Sequence, residues 1–233
     1  MPAHSPVGQN GRVSERRPDL SVAYRAVVSI GAPIMTWSRL RVTGLEHLPR
    51  TGPVLLVADH DSYWDPIAIA VAARKVRPIR ALAKSTIWHN KIVGAFMTNM
   101  GHIPVTRGAS NAEALATAAD ELRNGACIGI FPEGTRSLGR ELRARNGVGR
   151  LAHAVPEAAI VCARVNGTVD VVRLPHRPTV TVDFYLPAGG GRQPAESVDD
   201  FAERLLAELR EGAPREVPGR GKTAAKYRAD VTD

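Results

Sequence analysis

This sequence has few cysteines and no long apolar run, which argues against a disulfide framework, a structural metal site and a membrane-spanning helix. Only two cysteines occur in 233 residues, Cys127 and Cys162, and both lie in apolar runs. That number and spacing predict two small buried thiols in a reducing compartment, with neither a metal centre nor a disulfide scaffold. No run approaches the ~20 apolar residues that a spanning helix needs. The polar first 19 residues carry no signal-peptide pattern, so we expect a cytosolic protein or a peripheral one on the inner face of a membrane.

Acidic residues are absent from residues 66–112, a long internal stretch that contains several arginines and lysines. The whole chain has a formal net charge of +8 and a pI near 10.1. Such a charge indicates an anionic partner, which could be a nucleic acid, a phosphorylated ligand or a membrane surface. A nucleic-acid-binding domain without catalysis would account for the charge. However, only 5% of the residues are aromatic, and the sequence contains no recognised nucleic-acid motif.

Composition divides the chain into four parts. Residues 1–20 and 212–233 are polar and rich in Pro, Gly and basic side chains, which predicts a disordered N-terminal tail and a flexible basic C-terminal tail. Residues 21–40 are apolar, and Gly31 and Pro33 should break them into two short helices. With Tyr24 and Trp37 at headgroup level they would form an interfacial membrane anchor; the alternative is a helix that covers the sheet. Residues 41–211 form the predicted catalytic domain.

Apolar runs and helical patterns alternate along residues 41–211. This alternation predicts an α/β fold with a mixed, mostly parallel central sheet flanked by helices. Cap and turn residues predict three helices, in residues 85–99, 110–124 and 198–210. Residues 179–186 are predicted to form an edge strand.

The first of three polar clusters follows four consecutive aliphatic residues, Val54-Leu55-Leu56-Val57, which predict a strand buried on both faces. His60 lies on the turn after this strand. Asp65-Pro66 is a helix-start signature, because aspartate accepts hydrogen bonds as N-cap and proline needs no donor at the first helical position. The turn could fold His60 back to Asp65, with one carboxylate oxygen holding the imidazole and the other capping the helix. A histidine oriented by a carboxylate can act as a general base near neutral pH. The alternative at this point is a capped helix beside a surface histidine.

Two further polar clusters follow later apolar runs, and in a parallel sheet all three would open at one edge. One ends in Arg107-Gly108, which suits an anion because the guanidinium is a bidentate donor and glycine permits close approach of a ligand. The other is Phe131-Pro132-Glu133-Gly134-Thr135-Arg136-Ser137. It offers an acceptor, donors and a flexible backbone position, as a polyhydroxyl phosphate would require. Taken singly, these charged side chains could equally form surface ion pairs.

In this order the three blocks resemble those of the glycerolipid acyltransferases, of which 1-acylglycerol-3-phosphate (lysophosphatidic acid) acyltransferase is the type member. The first block of that family is His-x4-Asp, which His60, Ser62 and Asp65 match, with Asp59 where asparagine is common. The second and third blocks resemble residues 103–108 and 131–137. The similarity covers roughly residues 40–172.

The resemblance implies that His60, oriented by Asp65, removes a proton from a glycerol hydroxyl, which attacks the thioester of acyl-CoA or acyl carrier protein. No covalent acyl-enzyme, metal or bound cofactor is implied. Arg107 and Arg136 would bind the acceptor phosphate. The residues expected to position the glycerol are Glu133, Gly134 and Thr135, and the further candidates for the site are Ser62 and Lys84.

The implied partners are the acyl thioester, a lysophospholipid acceptor and a membrane surface, with no nucleic acid. Lysophosphatidic acid is the implied acceptor, and another lysophospholipid or a glycolipid is the alternative. The implied location is the cytoplasmic face of a membrane, where the protein would be peripheral.

The fourth block departs from the family's pattern. The family usually has a proline within an apolar strand there, whereas this chain has Cys162 in its place and Arg164 in the same strand. Because this block is thought to shape the acyl or acceptor pocket, the identity of the acceptor is left open. The Arg145-Asn146-Gly147 segment resembles the family's Lys-x-Gly stretch, with arginine for lysine.

Two other interpretations use some of the same residues. A serine hydrolase would need Ser62 or Ser137 as nucleophile, but no Gly-x-Ser-x-Gly elbow occurs. A metal site is possible by residue type. Its ligands would come from His60, Asp59, Asp61 and Asp65.

Overall fold

The computed structural model describes residues 20–106, 111–171, 173, 175 and 177–217. Within these residues, strands form one sheet and α-helices pack on both of its faces. The strands are β1 (Arg41–Thr43), β2 (Val54–Ala58), β3 (Arg80–Lys84), β4 (Ile103–Val105), β5 (Cys127–Ile130), β6 (Ala159–Asn166) and β7 (Thr181–Tyr185). The helices are α1 (Val22–Trp37), α2 (Asp65–Ala73), α3 (Lys91–Asn99), α4 (Ala112–Arg123), α5 (Gly147–Ala154) and α6 (Val198–Gly212).

The sheet has the strand order β1-β7-β6-β2-β5-β3-β4. Neighbouring strands run parallel, except that β6 and β7 are antiparallel. The predicted α/β fold with a mixed, mostly parallel sheet is therefore confirmed. The prediction that residues 179–186 form an edge strand is wrong, because β7 lies between β1 and β6. Its alternating pattern arises because Val182 and Phe184 face a covered side of the sheet while their neighbours are only half-buried.

Strand β2 lies at the centre of two apolar layers, and all five of its residues are buried. Leu56 and Ala58 face the layer that contains α2, whereas Leu55 and Val57 face the layer that contains α4, α5 and α6. Burying each of the larger side chains contributes about 1.5–3 kcal/mol. The end of β2, from which the first polar cluster departs, is thus held by packing on both faces.

Within the predicted segment 21–40, residues 22–37 form one helix, so the predicted break at Gly31 and Pro33 is wrong. Pro33 is exposed on the outer side of α1. Gly31 is buried where α1 meets α2, and a Cβ atom there would lie 2.8 Å from the Ile67 side chain. This close packing offsets the cost of proline in a helix, which is about 3 kcal/mol.

The expected placement of Tyr24 at lipid headgroup level is also wrong. Tyr24 is buried, and its hydroxyl accepts a hydrogen bond from the Ile79 N–H at 3.2 Å. Trp37 is half-buried. The buried side of helix α1 therefore packs against α2 and the sheet. Among the described residues, none of the helices has both the length and the apolar content that crossing a bilayer would require.

The cap predictions have different outcomes. Ser85 begins a 3₁₀ turn, Ser85–His89, and the cap of the following α3 is Asn90, whose side chain accepts from two backbone N–H groups. The predicted cap of α4, Ser110, lies outside the described residues. Ser197 caps α6 as predicted, since its hydroxyl accepts from the Asp200 N–H at 3.0 Å.

The C-terminal part of the described chain remains packed beyond residue 211, where we expected a flexible tail to begin. Helix α6 ends at Gly212, and the next residue, Ala213, is fully buried. The Glu216 N–H donates to Asp61 at 3.1 Å. The predicted flexible tail from residue 212 is therefore wrong for residues 212–217. Residues 218–233, like residues 1–19, lie outside the described part of the chain.

Candidate active site at the carboxyl edge of the sheet

Asp65 organises the turn that joins β2 to α2. It lies in the first turn of α2, where Pro66 follows it, but its side chain does not cap that helix. Instead, its Oδ2 atom accepts hydrogen bonds from the backbone N–H groups of Asp61 and Ser62, both at 2.7 Å. The expectation that one carboxylate oxygen caps the helix is thus wrong. The carboxylate points back into the turn, which lets it meet the His60 side chain.

The His60 imidazole is held by a hydrogen bond at one edge of the ring and by a stacked aromatic ring on one face. Its Nδ1 atom lies 2.9 Å from Asp65 Oδ2. Because a carboxylate can only accept, Nδ1 carries the proton and Nε2 keeps its lone pair. The Phe131 ring stacks on the imidazole with the centroids 4.2 Å apart and an angle of 19° between the planes. With 15% of its side chain exposed, His60 is held in one orientation yet remains accessible.

Thr168 holds the other oxygen of Asp65. Its hydroxyl donates to Asp65 Oδ1, and both residues are almost completely buried. Thr168 begins a 3₁₀ turn directly after Gly167, which has a φ of +78°. A Cβ atom at Gly167 would lie 2.2 Å from the Thr179 carbonyl oxygen, so glycine is required for this turn. Both oxygens of Asp65 therefore have hydrogen-bond donors.

Glu133 lies behind the site, away from solvent. Its Oε2 atom accepts from the His60 backbone N–H at 3.1 Å. Both of its oxygens also accept from the Arg210 guanidinium. Because this carboxylate is buried and occupied, it is not open to the hydroxyls of a glycerol, in contrast to our expectation. It joins the third polar block to the first.

The rest of the third block lies at the surface. Gly134 is exposed and has a φ of +67°. Thr135 is half-buried and lines a cavity of about 240 Å³ together with Arg143 and Arg145. The Arg136 guanidinium lies 3.7 Å above the centre of the Tyr63 ring, and Tyr63 is 74% exposed. Arginine side chains from the third block and the segment after it thus surround an open surface beside the His60 turn.

The second block is only partly described. Arg107 lies outside the described residues, so its side chain has no position here. The strand before it, β4, pairs with β3 so that Val105 lies opposite Lys84. Lys84 is exposed at the end of β3. Since β2 and β3 both run parallel to β5, Lys84 lies at the same edge of the sheet as His60.

The two serines that a hydrolase would need have structural contacts instead. Ser62 is buried, donates to the Thr168 carbonyl oxygen at 3.2 Å and accepts from the Trp64 N–H. Ser137 is also buried, and its hydroxyl donates to Asp61. In the described part of the chain, the hydroxyls of Ser62 and Ser137 are bonded to groups other than a histidine ring, which is the partner that would activate a nucleophile. Among the described residues, no three His, Cys, Asp or Glu side chains are grouped as metal ligands would be.

Asp59 is the carboxylate that directly precedes His60 in the first block. It is fully buried, and this burial raises its pKa well above the usual value. Its Oδ1 atom accepts from the Val165 N–H at 2.9 Å. No hydrogen-bond donor reaches its Oδ2 atom among the described residues. Burial therefore favours the neutral acid at Asp59, whereas the Arg210 guanidinium, with Nη1 3.8 Å from Oδ2, favours the carboxylate.

Sequence reasoning missed Thr168 and Arg210. Thr168 gave no signal, because a threonine after a strand is common and its partner lies 103 residues away. Arg210 gave a signal that we did not use. It lies four residues after Leu206, which places it on the apolar side of α6, where an arginine must have a buried acidic partner.

Comparison with known proteins connects this site to one family. The model of the family described as Acyltransferase matches residues 39–171, more than half of the chain. A solved structure, the 1-acyl-sn-glycerophosphate (LPA) acyltransferase PlsC of Thermotoga maritima, superimposes with a TM-score of 0.64. That superposition covers 82% of this chain and 78% of the other, at 20% sequence identity, and it shows the fold.

Two relatives are both named 1-acyl-sn-glycerol-3-phosphate acyltransferase. The protein of Borreliella burgdorferi is 34% identical over 107 residues, which are 45% of this chain and 42% of the relative. The protein of Bacillus subtilis is 29% identical over 98 residues, which are 42% of this chain and 49% of the relative. The matched part thus spans less than half the length of each relative. Since the family model covers the segment with all three polar blocks, this chain belongs to the Acyltransferase family.

Proposed function

We propose that the protein is an O-acyltransferase that moves a fatty acyl group from an acyl thioester to the hydroxyl of a lysophosphatidic acid-like acceptor. The observation that carries this proposal is the His60–Asp65 pair, with Nδ1 2.9 Å from the carboxylate and Nε2 left as the basic nitrogen. The descriptions of the relatives support the reaction class and the acceptor. No bound cofactor is needed, and the donor is acyl-CoA or acyl carrier protein.

The reaction needs one proton acceptor that later acts as a proton donor. Nε2 of His60 takes the proton of the acceptor hydroxyl while that oxygen attacks the thioester carbonyl carbon. The tetrahedral intermediate collapses with cleavage of the carbon–sulfur bond, and the thiolate leaving group receives the proton from the imidazolium. Asp65 stabilises the imidazolium between these steps. A positioned base of this kind contributes roughly 100- to 10,000-fold to a rate.

The acceptor phosphate binds, in this proposal, at the arginine-rich surface beside the His60 turn. Arg136, Arg143 and Arg145 are all near Thr135 along the chain, and the last two line the cavity with it. Guanidinium groups bind phosphate with paired hydrogen bonds, so a phosphate monoester is the headgroup that this surface fits best. Arg107 remains a candidate for the same role. Glu133 contributes indirectly, because its carboxylate accepts a hydrogen bond from the backbone N–H of His60 and so holds the turn in place.

Helix α3 offers a surface for membrane contact. Several of its apolar side chains are uncovered, since Ile92 is 83% exposed and both Val93 and Phe96 are exposed as well. Lys91 starts the helix, and no acidic residue occurs between residues 66 and 112. An exposed apolar helix with basic neighbours is suited to an anionic lipid surface. We therefore place the protein peripherally on the cytoplasmic face of a membrane, with α3 in contact with lipid.

The direct test is acyl transfer by the purified protein to a panel of acceptors. Mass spectrometry would detect the acylated lipid formed from acyl-CoA and lysophosphatidic acid, lysophosphatidylcholine, lysophosphatidylglycerol or a glycolipid. We expect the phosphate monoester to give the highest kcat/KM. The His60→Ala variant should stay folded and lose nearly all turnover, whereas Arg150→Ala, on an exposed side of α5, should retain it. Formation of free fatty acid without acylated lipid would contradict the proposal.

A further inference from the structure

We propose that Arg210, in the C-terminal helix α6, is a positioning residue for acyl transfer. It joins the first and third polar blocks behind His60 and thereby fixes the imidazole. The inference rests on the proposed function, because it assigns a role in the same reaction. It adds a residue from outside the segment that the family model matches, since that segment ends at residue 171.

Arg210 binds two carboxylates from different blocks. Its side chain is only 4% exposed. Both terminal nitrogens donate to Asp61, each at 2.9 Å. Nε and Nη2 donate to Glu133, with the shortest contact at 2.6 Å. One guanidinium thus cross-links the His60 turn, through Asp61, to the turn after β5, through Glu133.

These two carboxylates in turn hold the backbone of His60 on both sides. Glu133 accepts from the His60 N–H at 3.1 Å. The His60 carbonyl oxygen accepts from the Ser137 N–H at 2.8 Å, and the Ser137 hydroxyl donates to Asp61. A shift of either carboxylate would therefore move the backbone from which the imidazole projects. Sub-ångström placement matters here because proton transfer requires a close and aligned approach.

The position of the His60 backbone depends strongly on Arg210 because its guanidinium neutralises two buried carboxylates. Without the guanidinium, Asp61 and Glu133 would be two buried carboxylates without a cationic partner. Their repulsion and desolvation would separate them or cause one to take up a proton. Burial alone would lower the pKa of Arg210. The hydrogen bonds to Asp61 and Glu133 outweigh that effect and raise the pKa above its usual value, so the bridge stays charged.

The position of Arg210 is set by the packing of α6 and by the residues after it. A Cβ atom at Gly149 of α5 would lie 2.0 Å from the Val198 carbonyl oxygen at the start of α6, so the two helices meet without an intervening side chain. Beyond the helix, the Glu216 N–H donates to Asp61, and its carboxylate accepts from the Gly167 N–H. The C-terminal segment therefore closes over the same cluster from the other side.

Arg210→Lys tests the inference because it keeps the charge but cannot bind two carboxylates in the same paired geometry. We expect kcat to fall by about 10- to 100-fold with the KM for the acceptor within twofold of the wild-type value. The acid limb of the kcat–pH profile should move to lower pH, because a displaced imidazolium loses part of its stabilisation by Asp65. Arg204→Lys is the matched control: it lies on the same helix, binds Glu196 at the surface and should leave kcat unchanged.

A structural role alone would lower the amount of folded protein but would not change kcat per folded molecule or the pH profile. If Arg210→Lys does not fold, the combination of Arg210→Met, Asp61→Asn and Glu133→Gln removes the guanidinium together with the two carboxylates that it hydrogen-bonds, and tests the same point. A wild-type kcat and pH profile in either variant would overturn the inference. NMR titration of His60 gives a readout without turnover. A wild-type protein that transfers no acyl group would refute the proposed function, whereas an unchanged His60 titration in the Arg210 variants would refute the inference.

Discussion

The Thr168 hydroxyl donates a hydrogen bond to Asp65 Oδ1, although the two residues are 103 positions apart. Asp65 reaches His60 only through its other oxygen, Oδ2. The orientation of the carboxylate, and through it that of the imidazole, thus depends on a turn that follows β6. The turn after β6, the strand next to β2 in the sheet, therefore acts on the imidazole through Asp65.

Thr168→Val should lower kcat by roughly 3- to 30-fold, since it keeps the shape of the side chain but removes the donor to a buried carboxylate. The loss of one charge-assisted hydrogen bond should reduce the free energy of unfolding by about 1–3 kcal/mol. Steady-state kinetics and urea unfolding measure the two effects. Thr168→Ser restores the donor and should recover most of kcat. If serine and valine variants have equal kcat, the hydrogen bond has no part in catalysis.

Arg136→Ala should raise the KM for a phosphorylated acceptor by about 10-fold or more and change kcat much less, because its guanidinium contributes to binding. Arg107→Ala is expected to have the same effect. The measurement compares lysophosphatidic acid with an acceptor that lacks the phosphate monoester. For the second acceptor the variants and the wild type should be similar. An unchanged KM for the phosphorylated acceptor would remove the residue from the phosphate site.

Asp59→Asn should stabilise the protein more at pH 8 than at pH 5. Burial raises the pKa of Asp59 in the folded state well above that in the unfolded chain, so the folded state binds this proton more tightly. The stability that Asp59 contributes is therefore present at low pH and is lost as pH rises above the unfolded-state pKa, near 3.8. Asparagine has no proton to lose. Urea unfolding of both proteins at the two pH values gives the comparison, and an equal difference at pH 5 and pH 8 would contradict the assignment.

Replacement of Ile92 and Phe96 by serine should weaken binding to vesicles of anionic phospholipid by roughly 10-fold or more, at about 1.5–3 kcal/mol for each fully buried apolar side chain. Co-sedimentation measures the bound fraction. Leu186→Ser is a matched control because Leu186 is another exposed aliphatic residue, outside α3. Equal losses in the two variants would show that α3 is not the lipid-contacting surface.

Local patterns predicted the elements that a single segment determines. The buried strand β2, the turn with His60 and Asp65, and the cap of α6 by Ser197 all follow from neighbouring residues. The errors concern effects that distant parts of the chain decide. Proline in α1 is tolerated because α2 packs against Gly31, and the alternation of β7 reflects a covered face and not an edge position. Arginine at position 210 has buried partners from two other segments, which no local pattern contains.

Strand β1 has β7 as its neighbour in the sheet, and their parallel register places Arg41 opposite Thr181. When the chain emerges from the ribosome, the segment of β1 precedes its hydrogen-bonding partner by about 140 residues. This edge of the sheet can therefore close only after β7 has emerged, when the segments of the central strands are already available to pair. Premature termination before residue 181 would leave β1 as an unpaired edge, a configuration that favours association between nascent chains.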